Sequence, residues 1–403
     1  MRREKRFPID IELCFYLKSA WENGWLDEYS DDHFLIKAIE SRLDSFVAID
    51  QMINNNINFM GMVTPLGNIN SKQFDLNFCI NFSRRLNGLS LAFGEEAIKR
   101  FITDQLSAGK QDYNEDTFFQ ALSEVSILSF FTALRAWDKV SYEPPAVDGL
   151  NDKNPEASFC GTFVCNNTDD TSTEIKKKIV LNVEVKSPQF PHDKHEEEKI
   201  AIPTVLLSKD GRIAVKKYCK ENGVIYLDPR VLKLRDFINS AASKFNVPKE
   251  NEFNILYINW SFRDFPSNAF LEPWSLLTNS DNGILLHTKY AEEIGIDKDA
   301  YKKISAIVVY TESLEGLAFG DFRYVWQRNG AGPRFRMWIL DDDLRQSEEN
   351  GSSNLMFRIT GMRPSEPLTQ YVMFDYKPKN ITEKVEEAHF GVQLCNLIKD
   401  NVD

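Results

Sequence analysis

Lys178-Ile179-Val180-Leu181-Asn182-Val183-Glu184-Val185-Lys186-Ser187-Pro188 is the stretch on which the reading of the fold turns. Ile179, Leu181, Val183 and Val185 alternate with Val180, Asn182, Glu184 and Lys186, the period of a strand with two different faces. Side chains two apart on a strand share a face, so Glu184 and Lys186 emerge side by side, a few ångströms apart. Ser158 to Val164 alternates in the same way, and the polar run Cys165 to Lys177 between the two reads as turn material, so a hairpin is expected. Before the hairpin, Thr117 to Trp137 carries a wide apolar stripe at helical spacing. Phe119, Leu122, Ser126 and Phe130 form one row of it, Val125, Leu128 and Leu134 another, and Glu124 sits in its middle. Pro144-Pro145 breaks the chain after that helix.

Downstream, Ile200 to Val215 suggests a second hairpin turning at Lys209-Asp210-Gly211. Pro229 to Phe245 reads as a helix, with Pro229 in its first turn and Leu234, Ile238, Ala241 and Phe245 facing inward. Phe253 to Trp260 and Ile304 to Tyr310 are apolar runs of buried-strand length. The expected fold class is therefore α/β, a mixed β-sheet flanked by helices, with residues 113–340 as the core. Residues 1–112 read as a mainly helical region. It has helical spacing from Ile9 to Asn54 (Leu35, Ile39, Leu43, Phe46), a strand-like alternation at Phe74 to Phe82, and a helix from Phe93 to Leu106. That helix runs out in Ser107-Ala108-Gly109-Lys110. Residues 341–403 read as a small mixed appendage, with alternating runs at Leu355 to Ile359 and Tyr371 to Tyr376 and a helix-like tail from Ile381.

A chain of 403 residues, 42% hydrophobic and 12% aromatic, has the apolar material for a substantial core, and 27% charged residues is near the globular norm. The net charge of −12 counts against a non-specific polyanion binder, because counterion release from a phosphate backbone is driven by Lys and Arg. Between Asp170 and Asp236 the balance reverses, and basic residues outnumber acidic ones. Cys14, Cys79, Cys160, Cys165, Cys219 and Cys395 are scattered without a CxxC pair, which excludes a zinc ribbon and a dense disulfide frame. No apolar run of signal-peptide or membrane-spanning length is present, so a cytoplasmic protein with reduced cysteines and no membrane partner is expected.

The order helix, strand, strand, helix, strand across residues 117 to 260, with Asn182-Val183-Glu184-Val185-Lys186 ending an apolar strand, resembles the core of the PD-(D/E)XK (restriction-endonuclease-like) nucleases. The resemblance covers about a third of the chain. Glu184 and Lys186 match the family's E-x-K strand, and Asn154-Pro155-Glu156-Ala157-Ser158-Phe159 matches the segment that holds the other acid. Glu124 falls where many members carry an additional acid on the helix. The family usually has Asp directly before the apolar strand residues. Here Glu156 is the expected ligand, with Asp148 and Asp152 as alternatives, and loss of this acid would leave a binding module without catalysis. The resemblance implies hydrolysis of phosphodiester bonds with Mg2+ or Mn2+ held by Glu184 and Glu156, Lys186 as the catalytic lysine and Glu124 in support. It also implies DNA as substrate, with RNA as the alternative, a possible homodimer, and a role in bacterial or phage restriction or defence. Lys176, Lys177 and Lys178 open the motif strand, while Arg328, Arg334 and Arg336 are interleaved with aromatics, an arrangement suited to nucleic-acid contact. Both groups also fit plain hairpin ends. His192 and His195 fit a charged loop better than a metal cluster.

Overall fold

The computed structural model describes residues 7, 12–40, 71–134, 137–144, 154–166, 174–188, 202–203, 216–217, 220–221, 226–227, 230–260, 271–278, 283–310, 312, 314, 317, 335–349 and 355–360. The chain is an α/β protein built on a six-stranded mixed open sheet: β1 Lys139–Tyr142, β2 Ala157–Asn166, β3 Glu174–Lys186, β4 Glu252–Asn259, β5 Ala306–Tyr310 and β6 Phe335–Ile339. The strands lie side by side in chain order. β1, β2 and β3 form an antiparallel meander, β3, β4 and β5 run parallel, and β6 returns antiparallel to β5.

Alternation along the strands sends side chains into two apolar layers. Ile179, Leu181, Val183 and Val185 of β3, with Ile255 and Tyr257 of β4, face a layer that also takes in helices α1 Phe15–Glu22, α2 Phe34–Glu40, α3 Ser71–Phe93 and α5 Glu115–Leu134. A short helix, α4 Glu95–Arg100, follows α3 and passes directly into a π turn over Phe101–Gln105. On the other face, Leu256, Ile258, Ile307, Val309 and Trp338 pack against α6 Val231–Lys244 and α7 Leu271–Thr278. Covered on both sides, β4 is buried from Phe253 to Asn259, which is why it reads as a mainly apolar run. No helix among the described residues is long and apolar enough to cross a membrane.

The helix of the amphipathic stripe is α5, and it begins where Asn114 Oδ1 accepts the Thr117 N–H at 2.9 Å, an N-cap. Several expectations are corrected. Phe74 to Phe82 is not a strand but part of α3. Phe78, Ile80 and Phe82 are all buried, on nearly opposite sides of the helix, because α3 packs against α1, α2 and α5 at once. A helix covered on several sides loses its one-sided stripe and can imitate a period of two. Leu355 to Thr360 is likewise a helix. Its buried residues Leu355, Met356, Ile359 and Thr360 have helical spacing, and the three apolar ones join the same layer as the N-terminal helices. Cys165–Asn166 and Glu174–Lys177, read as turn, extend the hairpin strands in register. Ile202–Pro203 pairs in parallel with Tyr226–Leu227; the rest of the expected hairpin Ile200 to Val215 lies outside the described residues. β1 was not expected. One exposed and three half-exposed residues near a proline pair leave little pattern to read.

The stop after the π turn fits its sequence. Ala108, Gly109 and Lys110 all have positive φ, at 49°, 96° and 58°. A Cβ on Gly109 would lie 2.5 Å from the Asp112 carbonyl oxygen, so only glycine fits. Gly109→Ala is expected to lower stability by about 1–3 kcal/mol in urea denaturation. An unchanged midpoint would show that the turn relaxes freely.

Candidate active site at the carboxyl end of the parallel strands

The sheet changes from antiparallel to parallel pairing at β3, and β3, β4 and β5 end on the same edge of the sheet. Glu184 and Lys186 stand there, on the α6 side of the sheet. Ala157 pairs with Val183, which puts Glu156 on that side too, just ahead of β2. Three of the four expected residues are thereby gathered on one face. Glu184 is fully buried, and its Oε1 lies 2.5 Å from Lys186 Nζ. Glu156 is also buried, with Oε1 3.9 Å from the same ammonium. Glu124, the fourth, comes from α5 across the end of β3 and is buried rather than solvated.

A fifth group was not anticipated. Lys244, the last residue of α6, places its Nζ 2.7 Å from Glu184 Oε1 and 3.1 Å from Glu156 Oε1. It follows Ala241 by three residues on the inward face of the helix, so its direction was legible although its partners were not. The end of α6 is fixed by an amide chain: Asn182 donates to Asn254 Oδ1 at 2.8 Å, and Asn254 donates to the Asn246 carbonyl at 2.7 Å. The start of α6 is tied down by Glu272, which accepts the Arg230 backbone N–H at 3.1 Å and the Trp260 indole N–H at 3.1 Å.

Gln120 was also missed. Its Nε2 donates to the Val185 carbonyl at 2.9 Å, and its Oε1 accepts the Ser187 N–H at 2.7 Å. Extending the β2–β3 register by two residues sets Pro155 opposite Val185, and proline has no N–H to offer that carbonyl. The glutamine amide therefore stands in for the missing strand and holds the backbone on both sides of Lys186. It also leans toward Glu124 Oε1, at 3.4 Å.

Electrostatics in the pocket are those of three carboxyl groups and two ammonium groups held away from water. The Glu184 carboxyl is pushed up to about 7, by burial first and by Glu156 second, against the pull of Lys186 and Lys244. Burial and then Glu156 also push Glu124 well above the ordinary range. Burial opposes the charge on Lys244, but Glu156 and Glu184 outweigh it and hold its pKa above the ordinary value. Glu184 Oε1 meets both ammonium groups, whereas Glu184 Oε2 and Glu124 Oε2 receive no hydrogen bond. The buried Tyr142 hydroxyl, near Glu124 and Glu156, is pushed up by burial and stays a neutral phenol.

A carboxyl whose folded pKa exceeds its unfolded one binds its proton more tightly in the folded chain. Its stabilising effect is full below the ordinary value of 4.5 and is lost as the pH rises through about 7. The Glu184 shift amounts to about 3 kcal/mol when complete. The melting temperature is expected to fall between about pH 5 and 7.5. In Glu184→Gln the fall should be shallower, as followed by circular dichroism. Equal slopes in the two proteins would show that Glu184 is not the titrating group.

Of the other expected residues, Lys176 and Lys178 are exposed at the far end of β3, with Lys177 half-buried between them. Lys178 lies roughly 25 Å along the strand from Lys186. Arg336 on β6 is exposed, with its guanidinium 4.7 Å from the Trp274 ring centroid. Arg328, Arg334, Asp148, Asp152, His192 and His195 lie outside the described residues. Among the described residues, Cys14 and Cys79 are buried and Cys160 is half-buried.

Among the described residues, no three His, Cys, Asp or Glu side chains are grouped so as to hold a metal ion. The donors that come nearest are Glu184 and Glu156, two buried carboxylates already sharing one cation, and hard oxygen pairs of this kind suit Mg2+ or Mn2+. No protein-family model matches the chain, and no curated protein or solved structure matches it.

Proposed function

We propose that the chain is a metal-dependent nuclease of the PD-(D/E)XK kind, hydrolysing phosphodiester bonds in DNA. The observation that carries this reading is the meeting of Glu156, Glu184 and Lys186 from consecutive strands with Glu124 from the preceding helix, at the carboxyl edge of the sheet. The elements run helix, three antiparallel strands, helix and parallel strand, an order that accommodates the resemblance, with β1 added to it. In this reading Glu184 and Glu156 hold the ion. A bound Mg2+ or Mn2+ supplies polarisation of the scissile phosphate and a coordinated water of lowered pKa. Lys186, whose backbone Gln120 holds on either side, would orient the attacking water and stabilise the negative charge building on the phosphate oxygens. Glu124, held high in pKa, keeps a proton near the site and accepts further positive charge when it ionises. Cutting both strands of a duplex takes two sites, so a homodimer is part of the proposal.

A second reading, a nuclease fold kept as a nucleic-acid-binding or assembly module, is favoured by one observation. Lys186 and Lys244 already neutralise the two carboxylates. The two readings separate in an assay of plasmid, linear duplex, single-stranded DNA and RNA with Mg2+ or Mn2+. Cutting that stops with chelator supports the nuclease. A folded protein that neither cuts nor binds Mn2+ would leave the binding module.

A further inference from the structure

Two buried carboxylates need a cation between them, and the described structure supplies one from its own chain. Lys244 Nζ is within 3.1 Å of both Glu156 Oε1 and Glu184 Oε1, whereas Lys186 sits to one side, 2.5 Å from Glu184 and 3.9 Å from Glu156. We propose that Lys244 is a tethered cation that occupies the divalent-ion position and is displaced when the metal binds, so that the site is regulated by competition with its own side chain. This inference rests on the metal-dependent reading above.

Three features make Lys244, rather than Lys186, the one that leaves. Lys186 is carried on a strand whose backbone Gln120 grips on both sides. Lys244 ends α6, since Phe245 is already extended at φ −100° and ψ 141°. Released, a flexible lysine stem can turn its ammonium toward the free carbonyls at the end of its own helix, where positive charge is favoured. Charge balance agrees: a divalent ion and Lys186 together neutralise three carboxylates, while Lys186 and Lys244 leave one negative charge over, consistent with the raised Glu124 carboxyl. The ligand-facing group is Glu184, fully buried, with Oε1 against both ammonium groups and Oε2 without a hydrogen bond.

The test is Mn2+ binding by the full chain, measured by isothermal titration and by Mn2+ paramagnetic resonance. Wild type is compared with Lys244→Met, Lys186→Met and the double variant Lys244→Met with Glu184→Gln. Lys244→Met is expected to bind Mn2+ at least tenfold more tightly than wild type, and the double variant is expected to lose that gain. Equal or weaker binding by Lys244→Met beside a wild type that binds would overturn the tethered cation and leave the nuclease reading standing. No Mn2+ binding by any folded variant would overturn both. Wild type also gives a direct check. Acetylation of Lys244 by an amine reagent, read by mass spectrometry, should rise several-fold on adding Mn2+, and an unchanged rate would equally sink the proposal.

Discussion

Glu184→Ala and Lys186→Ala are each expected to lower metal-dependent DNA cleavage by on the order of a thousandfold or more, as loss of a preorganised charge at a water-excluded centre does. Both variants should fold. Glu184 is a buried carboxyl whose charged form is disfavoured by burial, so its removal takes away a cost as well as two ion pairs, and Glu156 remains to face Lys244. For Glu184→Ala the expected signature is lost activity with a melting temperature at pH 7.5 equal to or above that of wild type. Glu156→Ala then decides the first acid. Loss of about a hundredfold or more would assign the ligand to Glu156. Wild-type cutting by Glu156→Ala, with Glu184→Ala inactive, would move that role to Asp148 or Asp152. Wild-type cutting by Glu184→Ala would end the active-site assignment altogether.

The largest expected effect on stability lies behind the site. Arg85 of α3 donates to Ser126 Oγ at 2.9 Å and reaches Glu312 Oε1 at 3.4 Å, just past the end of β5. Glu312 donates its backbone N–H to Asn259 Oδ1 at 3.0 Å, and the Asn259 amide donates to Ser123 Oγ at 2.8 Å. This buried network joins α3, α5 and the ends of β4 and β5. Burial pushes the Glu312 carboxyl up, and Arg85 is the first of the groups that pull it back. Arg85→Met should therefore leave a buried charge without its partner, at a cost of about 3–5 kcal/mol near neutral pH. Because the stranded carboxyl can take up a proton, the loss should shrink as the pH falls. Adding Glu312→Gln should restore part of it. A single-variant loss under about 1 kcal/mol in urea denaturation would mean that the pair is not the lock described here.

What was legible in the sequence was local. β3, β4, β5 and α6 carry their periods openly, because each has a single burial regime along its length: alternating for β3, covered on both faces for β4 and β5, one-sided for α6. α3 was misread because tertiary packing, and not the local period, decides which of its residues are buried, and the helix Leu355–Thr360 is too short for its period to stand out. The acids of the site were legible as strand and helix positions, and the structure brings Glu124, Glu156, Glu184 and Lys186 together. Lys244 and Gln120 were not, since neither makes sense without knowing what lies across from it. Gln120 answers to Pro155, which is distant in sequence and silent about the gap it leaves. Arg85 and Glu312 are farther apart still.

The sheet order has a consequence for how the chain is made. Because the strands sit in the order in which they are synthesised, each new strand meets an edge completed just before it, and none must slip between two already joined. β1, β2 and β3 pair antiparallel with their neighbours in the chain. β4 and β5 wait for the long connections that parallel neighbours require, and these are the slow steps. Glu156, Glu184 and Lys186 therefore leave the ribosome and pair well before Lys244 does. The nascent pocket spends that interval with one ammonium for its acids, and the arrival of α6 is what seals it.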